Sequence, residues 1–351
     1  MRFVKRSASC AGVVALVVLL ASCGSSSSSS SSGAGSKAKT VNIAFFGYNT
    51  TPYSLAALKA AQAAATQYGA KITFFNPNSD PQTQATQVQD AITGGKFQAF
   101  WIWANNGLAL QPLVMQASRA GIKVATADAT LGSTTDQATL KSEPGVTVAL
   151  GTGLEEEATV AVSEIERACA AKAGASSACH VAVMPGMNNF PPDVYRLGLM
   201  RKQLAATGRI TLSLMPQGDY DAPGAQRSTL DFFQSKPKVD VIYTFADQMI
   251  GGVLVALKQL GLTPGKDIEI IGFGATTEAV AGINAGTWYA SQALYPSTES
   301  RLAVQYLVDA VHGKSVPSLV DVYKQSGALP VIDKLELKQH PSFQPDWSYG
   351  G

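Results

Sequence analysis

The stretch that decides the fold is residues 239–274, VDVIYTFADQMIGGVLVALKQLGLTPGKDIEIIGFG. A short apolar run comes first, a segment with apolar residues at helical spacing follows, and an isoleucine-rich apolar run closes the stretch. Short continuous apolar runs are typical of strands that are buried on both faces of a sheet. The stretch therefore predicts a strand, a helix and a second strand that lies parallel to the first.

The same alternation extends outward in both directions. From Val41 onward the apolar runs VNIAFFG, KITFFN, FQAFWIWA and IKVATAD alternate with amphipathic stretches, and a second series runs from VTVALGT to TESRLAVQYLVDAVHG. Repeated strand-helix units predict a parallel sheet with helices on both faces. The restart predicts a second domain of the same architecture, and 351 residues suffice for two domains.

Composition excludes several functional classes. The formal net charge of +2, with 15% charged and 46% hydrophobic residues, is ordinary for a globular protein and offers no basic surface for nucleic acid. Three histidines and four cysteines leave little material for metal or thiol chemistry. The sequence GFGATT at 272–277 lacks the third glycine of a dinucleotide-binding motif. We therefore expect no cofactor, no metal and no enzymatic activity.

The N-terminus has the features of an export leader. A basic start, MRFVKR, is followed by AGVVALVVLLA, which is too short to span a bilayer as a mature helix. The run ends in LASC, which resembles the bacterial lipobox and implies cleavage before Cys23 and a lipid on its thiol. Residues 1–22 are thus predicted to be a lipoprotein signal peptide. The alternative is an ordinary signal peptide with a chance cysteine.

A serine- and glycine-rich stretch, residues 23–40, follows the leader. Such a composition cannot bury enough surface to become ordered, so it predicts a flexible linker. Together with the lipid on Cys23, it places the folded part in the cell envelope, outside the cytoplasm and anchored to a membrane.

Two cysteines, Cys169 and Cys179, remain in the folded part. Export favours a disulfide between them. Cys169 lies near the end of a helical pattern and Cys179 precedes the apolar run HVAVMPG, so a bridge would join a helix to the next strand. The alternative is a pair of free thiols.

The order and spacing of DQMIGGVLVALKQLG, IEIIGFG and GINAG resemble those of the periplasmic sugar-binding proteins of the ribose-binding type. The resemblance extends over nearly all of residues 41–335. It implies an α/β fold of the type I periplasmic binding protein class, with two Rossmann-like lobes and parallel sheets joined by a three-segment hinge. It also implies that a ligand is enclosed between the lobes.

The resemblance implies that each lobe is discontinuous along the chain. The expected parts are a first lobe of residues 41–150 and 295–319, a second lobe of residues 151–294 and 320–338, and a tail of residues 339–351. The implied partners are a small-molecule ligand and an ABC permease in the membrane, and we expect a monomer. A sensory protein that presents its ligand to a membrane receptor or kinase is the alternative, because both use the same fold and hinge.

Ligands of open parallel sheets bind outside the carboxyl ends of the strands. In the first lobe, the loops after the strands therefore predict a set of ligand-binding residues, namely Tyr48, Thr51, Tyr53, Trp103, Asn105 and Asp128. Tyr53 is the aromatic residue most strongly indicated. Trp103 ends a strand, so it belongs either to the core or to the ligand site.

In the second lobe the loops after the strands indicate Asn189, Phe190, Phe245 and Asp247, and the resemblance implies an arginine and a glutamine, for which Arg196 and Gln292 are the nearest candidates. Arg196 either contacts the ligand or corresponds to a neighbouring structural arginine. Asp247 either contacts the ligand or caps its helix. Ala246, Gly274 and Leu294 stand where the resembling family places Asn, Asp and Gln. The loss of these polar groups and the retained aromatic residues predict a ligand with fewer hydroxyl groups than ribose. The alternative is a conventional sugar, with the loops aligned out of register.

Overall fold

The computed structural model describes residues 40–128, 131–133, 138–235 and 237–350. The predicted signal peptide and Cys23 lie outside the described residues. The described residues fold into two α/β lobes, as the sequence predicts, and each lobe is built on a six-stranded sheet. In the described part of the chain, no helix combines the length and the apolar character needed to cross a membrane.

The first lobe is built on six parallel strands in the order β2-β1-β3-β4-β5-β11. Its strands are β1 (Val41–Phe46), β2 (Ala70–Phe75), β3 (Ala99–Ile102), β4 (Lys123–Thr126), β5 (Val148–Gly151) and β11 (Leu319–Asp321). Its helices are α1 (Pro52–Tyr68), α2 (Pro81–Gly94), α3 (Gly107–Arg119) and α9 (Pro296–Val311).

The second lobe repeats this order as β7-β6-β8-β9-β10-β12. Its strands are β6 (Cys179–Met184), β7 (Ile210–Leu214), β8 (Val241–Thr244), β9 (Glu269–Gly274), β10 (Ala290–Ala293) and β12 (Val331–Asp333). Its helices are α4 (Leu154–Ala173), α5 (Pro191–Ala206), α6 (Ala222–Phe233), α7 (Asp247–Gln259), α8 (Thr277–Ala285) and α10 (Lys334–Gln339).

One strand departs from the expected parallel arrangement. β12 pairs with β10 in the antiparallel direction, whereas the other pairs of the second sheet are parallel. A parallel neighbour needs a crossover connection, usually a helix, whereas β12 reaches its sheet directly from the other lobe. The second sheet is therefore mixed.

The central strands are buried on both faces, which explains their continuous apolar sequences. Every residue of β3 and of β8 is buried. In the first lobe the rings of Phe45 and Trp101 stack with their centroids 3.7 Å apart. The core of each lobe therefore holds its sheet rigidly and fixes the loops that leave it.

The chain passes between the lobes three times: from β5 to α4, from β10 to α9, and from β11 to β12. The third passage lies beyond the expected boundary at Leu319, because Leu319–Asp321 pair with Ala149–Gly151 and still belong to the first sheet. Gly151 likewise ends a strand of the first sheet.

A disulfide joins Cys169 in α4 to Cys179, the first residue of β6, with the two Cα atoms 5.8 Å apart. Both residues are fully buried. The predicted bridge between a helix and the next strand is confirmed, and the alternative of two free thiols is wrong.

Candidate functional site: a cavity between the lobes

A cavity lies between the carboxyl ends of the two sheets and is lined from both lobes. Seven aromatic residues line it: Tyr48, Tyr53, Phe190, Tyr220, Phe245, Phe273 and Trp347. Its polar lining consists of Asn49, Thr51, Ser79, Asn105, Asp128, Glu157, Arg196 and Gln248. Aromatic walls with a few placed polar groups are typical of small-molecule sites.

The loop after β1 is fixed by the side chain of Asn49. Its Oδ1 accepts hydrogen bonds from the backbone N–H of Thr51 at 3.0 Å and from the hydroxyl of Ser54 at 3.2 Å. Its Nδ2 donates to the hydroxyl of Ser79 at 3.0 Å. Asn side chains commonly hold turns in this way. The loop is thus held against the cavity without help from a ligand.

Aromatic contacts build the first-lobe wall and cross the cleft. Tyr53 stacks on Trp103, with 5.1 Å between ring centroids, and meets Trp347 edge to face at 5.3 Å. Tyr48 meets Phe190 of the second lobe edge to face at 5.6 Å. The lobes therefore touch through their aromatic side chains around the cavity.

A buried glutamine orients one polar group toward the cavity. The Nε2 of Gln84 donates to the carbonyl of Trp103 at 2.7 Å, and its Oε1 accepts from the backbone N–H of Asn105 at 2.8 Å. Asn105 lines the cavity, and its buried Nδ2 has no hydrogen-bond partner among the described residues. Buried polar groups are normally paired, so this donor is available to a bound molecule.

Gln248 offers a matching acceptor from the second lobe. Its Nε2 donates to the carbonyl of Tyr220 at 2.7 Å, which fixes the amide. Gln248 lines the cavity, and its buried Oε1 finds no partner in the part of the chain that the structure describes. An unpaired amide donor and an unpaired amide acceptor thus belong to lining residues of opposite lobes.

Arg196 is already paired with carboxylates. Its Nη2 lies 2.7 Å from Glu157 Oε2, and its Nη1 lies 3.3 Å from Asp193 Oδ1. The guanidinium also lies over the rings of Phe245 and Phe273, at 5.4 and 5.0 Å from their centroids. A paired arginine of this kind is a poor receptor for an anion.

Several buried carboxyl groups lie at the cavity or close to its lining. Burial raises the pKa of the Glu157 and Asp193 carboxyls, and attraction by Arg196 opposes the rise. Burial also raises the pKa of Asp128, opposed by a hydrogen bond from Tyr48 and by Arg196. Burial and the nearby Asp128 raise the pKa of Glu299 well above its ordinary value. Burial thus favours the neutral form of these carboxyls, and Arg196 favours the charged form of those beside it.

The sequence pattern of the periplasmic binding protein domain matches residues 43–315. This chain belongs to that family. Members of the family are extracytoplasmic solute-binding proteins of transport systems, not enzymes.

This binding protein is similar to the ribose import binding protein RbsB of Bacillus subtilis (strain 168). The two are 24% identical over 278 residues, which cover 77% of this chain and 81% of RbsB. An ABC transporter solute-binding protein from Mycobacterium smegmatis with bound glycerol is 23% identical, with a TM-score of 0.71 over 88% of this chain and 99% of the other. A counterpart from Bacillus halodurans C-125 with bound myo-inositol is 15% identical, with a TM-score of 0.73 over the same shares.

Eight of the twelve residues that the sequence singles out in this binding protein line the cavity: Tyr48, Thr51, Tyr53, Asn105, Asp128, Phe190, Arg196 and Phe245. Trp103 does not, because it is fully buried behind Tyr53. Asn189 does not either, because it is exposed and lines a separate surface depression with Tyr195 on α5.

Asp247 points away from the cavity. It is fully buried, and it accepts hydrogen bonds from the backbone N–H of Thr276 at 3.0 Å and from the hydroxyl of Ser291 at 2.8 Å. Burial raises the pKa of its carboxyl to about 6. Asp247 therefore fixes the loop between β9 and α8 instead of facing a ligand.

Gln292 is also buried and lies among the passages between the lobes. Its Oε1 accepts from the Tyr243 hydroxyl at 2.9 Å, and its Nε2 lies 3.0 Å from the Glu157 carbonyl and 3.1 Å from the Tyr323 hydroxyl. Its place is thus structural, next to the second passage between the lobes.

Twelve of the twenty lining residues are outside the predicted ligand-binding set, among them Tyr220, Gln248, Phe273 and Trp347. Tyr220 approaches Gly186 so closely that a Cβ there would lie 2.0 Å from its ring, so a glycine after β6 was an available signal. A lone tryptophan in a polar C-terminal tail was the signal for Trp347.

Proposed function

We propose that this protein is the solute-binding component of an ABC import system and encloses a small molecule between its lobes. The observation that supports this best is the cavity lined from both lobes, with Tyr48 touching Phe190 across it. A guest that contacts both lobes favours the closed form, which a permease can then recognise. The transport role is tested directly by comparing uptake of the identified solute in a strain that lacks this protein with uptake in its parent, and we expect less uptake without the protein.

The ligand that the lining suits is small, uncharged and less hydroxylated than ribose. Arg196, the cationic side chain of the described lining, is already paired with Glu157 and Asp193, which leaves it little capacity to bind an anionic group. Asn105 and Gln248 each have one buried amide atom without a hydrogen-bond partner among the described residues, and the aromatic side chains of the lining suit an apolar ligand face. The similar proteins import ribose or bind glycerol and myo-inositol, which supports the uncharged character of the ligand but not its lower hydroxyl content.

Isothermal titration with D-ribose, myo-inositol, glycerol, phenyl β-D-glucoside and ribose 5-phosphate tests this ligand class. We expect heat from at least one uncharged compound and none from the phosphate. Binding of D-ribose alone would favour a conventional sugar, and binding of the phosphate would contradict the proposal. Mass spectrometry of any co-purified molecule gives the identity independently.

The polar anchor is tested by Asn105→Ala, for which we expect an affinity loss of about tenfold, since a ligand group is left unpaired. Asn189→Ala is the matched control, because this asparagine is exposed outside the cavity. Equal affinities of the two variants would contradict the assignment of Asn105.

We further infer that Cys23 carries a lipid and that residues 23–40 tether the lobes to the membrane. Small residues before a cysteine at the end of an apolar run support this. Mass spectrometry of the mature N-terminus should find an acylated cysteine. An unmodified N-terminus cleaved elsewhere would contradict the inference.

A further inference from the structure

The last described residues, Asp346–Gly350, cross from one lobe to the other, and we call this segment the C-terminal clasp. It follows α10 and returns to the cleft. Its hydrogen bonds reach the start of α9 in the first lobe. They also reach the end of β9 and the start of α8 in the second lobe. The clasp is therefore attached to both lobes.

The attachment to the first lobe is made by Asp346. Its Oδ2 accepts from the backbone N–H of Ser297 at 2.7 Å and of Thr298 at 3.2 Å, and its Oδ1 accepts from the Thr298 hydroxyl at 2.7 Å. These donors begin α9, whose own N-cap residue, Tyr295, makes no side-chain cap. Asp346 thus caps this helix from a distant part of the chain.

The attachment to the second lobe begins with Trp347. Its indole N–H donates to the Gly274 carbonyl at 2.9 Å, and its carbonyl accepts from the backbone N–H of Thr277 at 3.2 Å. Glu278 then accepts from the Ser348 hydroxyl at 2.7 Å and from the Gly350 N–H at 2.8 Å. These bonds tie the clasp to the end of β9 and the start of α8.

Between these attachments the Trp347 side chain enters the cavity. It is 5% exposed and meets Tyr53 of the first lobe edge to face. A Cβ on Gly274 would lie 3.0 Å from the Trp347 ring and 2.7 Å from the Asp247 carboxylate. A side chain at Gly274 would therefore clash with Asp247 and crowd the indole.

We propose that the C-terminal clasp is part of the ligand site, with Trp347 as a specificity-determining wall and the clasp as a tie that favours the closed arrangement of the lobes. The proposal rests on the proposed function as a solute-binding protein. The indole covers the end of β9 beside Gly274. It presents an apolar surface to the cavity, which selects a ligand with an apolar face.

The tie is tested without any ligand, on a variant that ends at Pro345 and on Asp346→Ala. By hydrogen exchange, we expect the amides of Ser297, Thr298 and Thr277 to exchange at least about tenfold faster in the truncated protein. Small-angle scattering should give a larger radius of gyration. Unchanged exchange and radius in the folded variants would overturn the tie.

The wall is tested by titrating Trp347→Ala, Trp347→Phe and the control Tyr195→Ala with D-ribose, myo-inositol, glycerol and phenyl β-D-glucoside. For a compound that binds the unaltered protein, Trp347→Ala should weaken binding at least about tenfold and Trp347→Phe less, while Tyr195→Ala changes nothing. Equal affinities would overturn the wall. If none of these compounds binds the unaltered protein, the ligand class fails while the exchange and scattering results still decide the clasp.

Discussion

At the scale of single residues, the buried cluster of Arg196 with Glu157 and Asp193 shows how neighbouring charges stabilise one another in the cleft. The guanidinium is buried beside Glu157 and Asp193, and burial alone would lower its pKa, but the two carboxylates raise it above the ordinary value. The two carboxylates therefore stabilise the charged form of Arg196, and Arg196 stabilises the charged forms of Glu157 and Asp193.

We expect Arg196→Met to lower the free energy of unfolding by about 3–5 kcal/mol at pH 7.5, because it leaves two buried carboxylates unpaired. The loss should shrink as the pH falls, since Glu157 and Asp193 then take up protons. Urea denaturation measures both effects. A triple variant that adds Glu157→Gln and Asp193→Asn should recover part of the loss, and a loss independent of pH would contradict the explanation.

Asp247 gives the second prediction at this scale. The ordinary pKa of its carboxyl is 3.8, and burial raises it to about 6 in the folded protein. Between these values the folded chain holds a proton that the unfolded chain has released. The contribution of Asp247 to the free energy of unfolding therefore falls as the pH rises through this window, by at most about 3 kcal/mol, and is constant above it.

Asp247→Asn should remove this dependence, because an amide can still accept from Thr276 and donate to the Ser291 hydroxyl. The measurement is the free energy of unfolding from urea titrations at pH 4, 5, 6 and 7 for both proteins. Burial also raises the pKa of Glu164, to about 7, so the difference between the two proteins isolates Asp247. Identical pH profiles would contradict the prediction.

Residue identity alone could not place every side chain. The sequence puts Trp103, Asp247 and Gln292 at the carboxyl ends of strands, and they do lie there. Their orientation depends on neighbours distant in sequence. Trp103 packs against Tyr53, Asp247 accepts a hydrogen bond from Ser291, and Gln292 accepts one from Tyr243. The loop is predictable from local pattern, but the direction of a side chain within it depends on tertiary packing.

At the scale of elements, the disulfide between α4 and β6 closes a loop with a sequence separation of 10 residues. We expect the double variant Cys169→Ala/Cys179→Ala to lose about 3 kcal/mol of stability, since the bridge restricts the unfolded chain. Urea unfolding under non-reducing conditions measures the loss. Reduction before unfolding should make the unaltered protein resemble the variant, and a persistent difference would show that packing rather than the bridge is responsible.

Most elements were predictable because strands buried on both faces carry an unmistakable apolar pattern, as in Phe97–Ala104. The direction of β12 was not, since a three-residue strand contains no information about its partner. The C-terminal clasp was missed for a related reason. Its polar sequence is typical of a solvated tail, and the helix and strand ends that give it partners lie elsewhere in the chain.

At the scale of the whole molecule, closure depends on contacts across the cleft. Phe190 packs against the core of the first lobe and meets Tyr48. An aromatic pair contributes about 0.5–1.5 kcal/mol beyond its burial, so Phe190→Ala should shift the ligand-free protein toward an open form. Scattering should then give a larger radius of gyration, with Phe190→Leu in between. An unchanged radius would show that other contacts hold the lobes together.

The three passages between the lobes have a consequence for biogenesis. The first sheet obtains its last strand, β11, and a covering helix, α9, from residues 296–321, after the second lobe has been almost entirely synthesised. The second sheet obtains β12 later still. Neither sheet has its full set of strands while the chain is emerging, so neither lobe can reach its final packing before the carboxyl-terminal strands have been synthesised. For a chain that crosses a membrane before it folds, such late completion would disfavour folding of either lobe ahead of translocation.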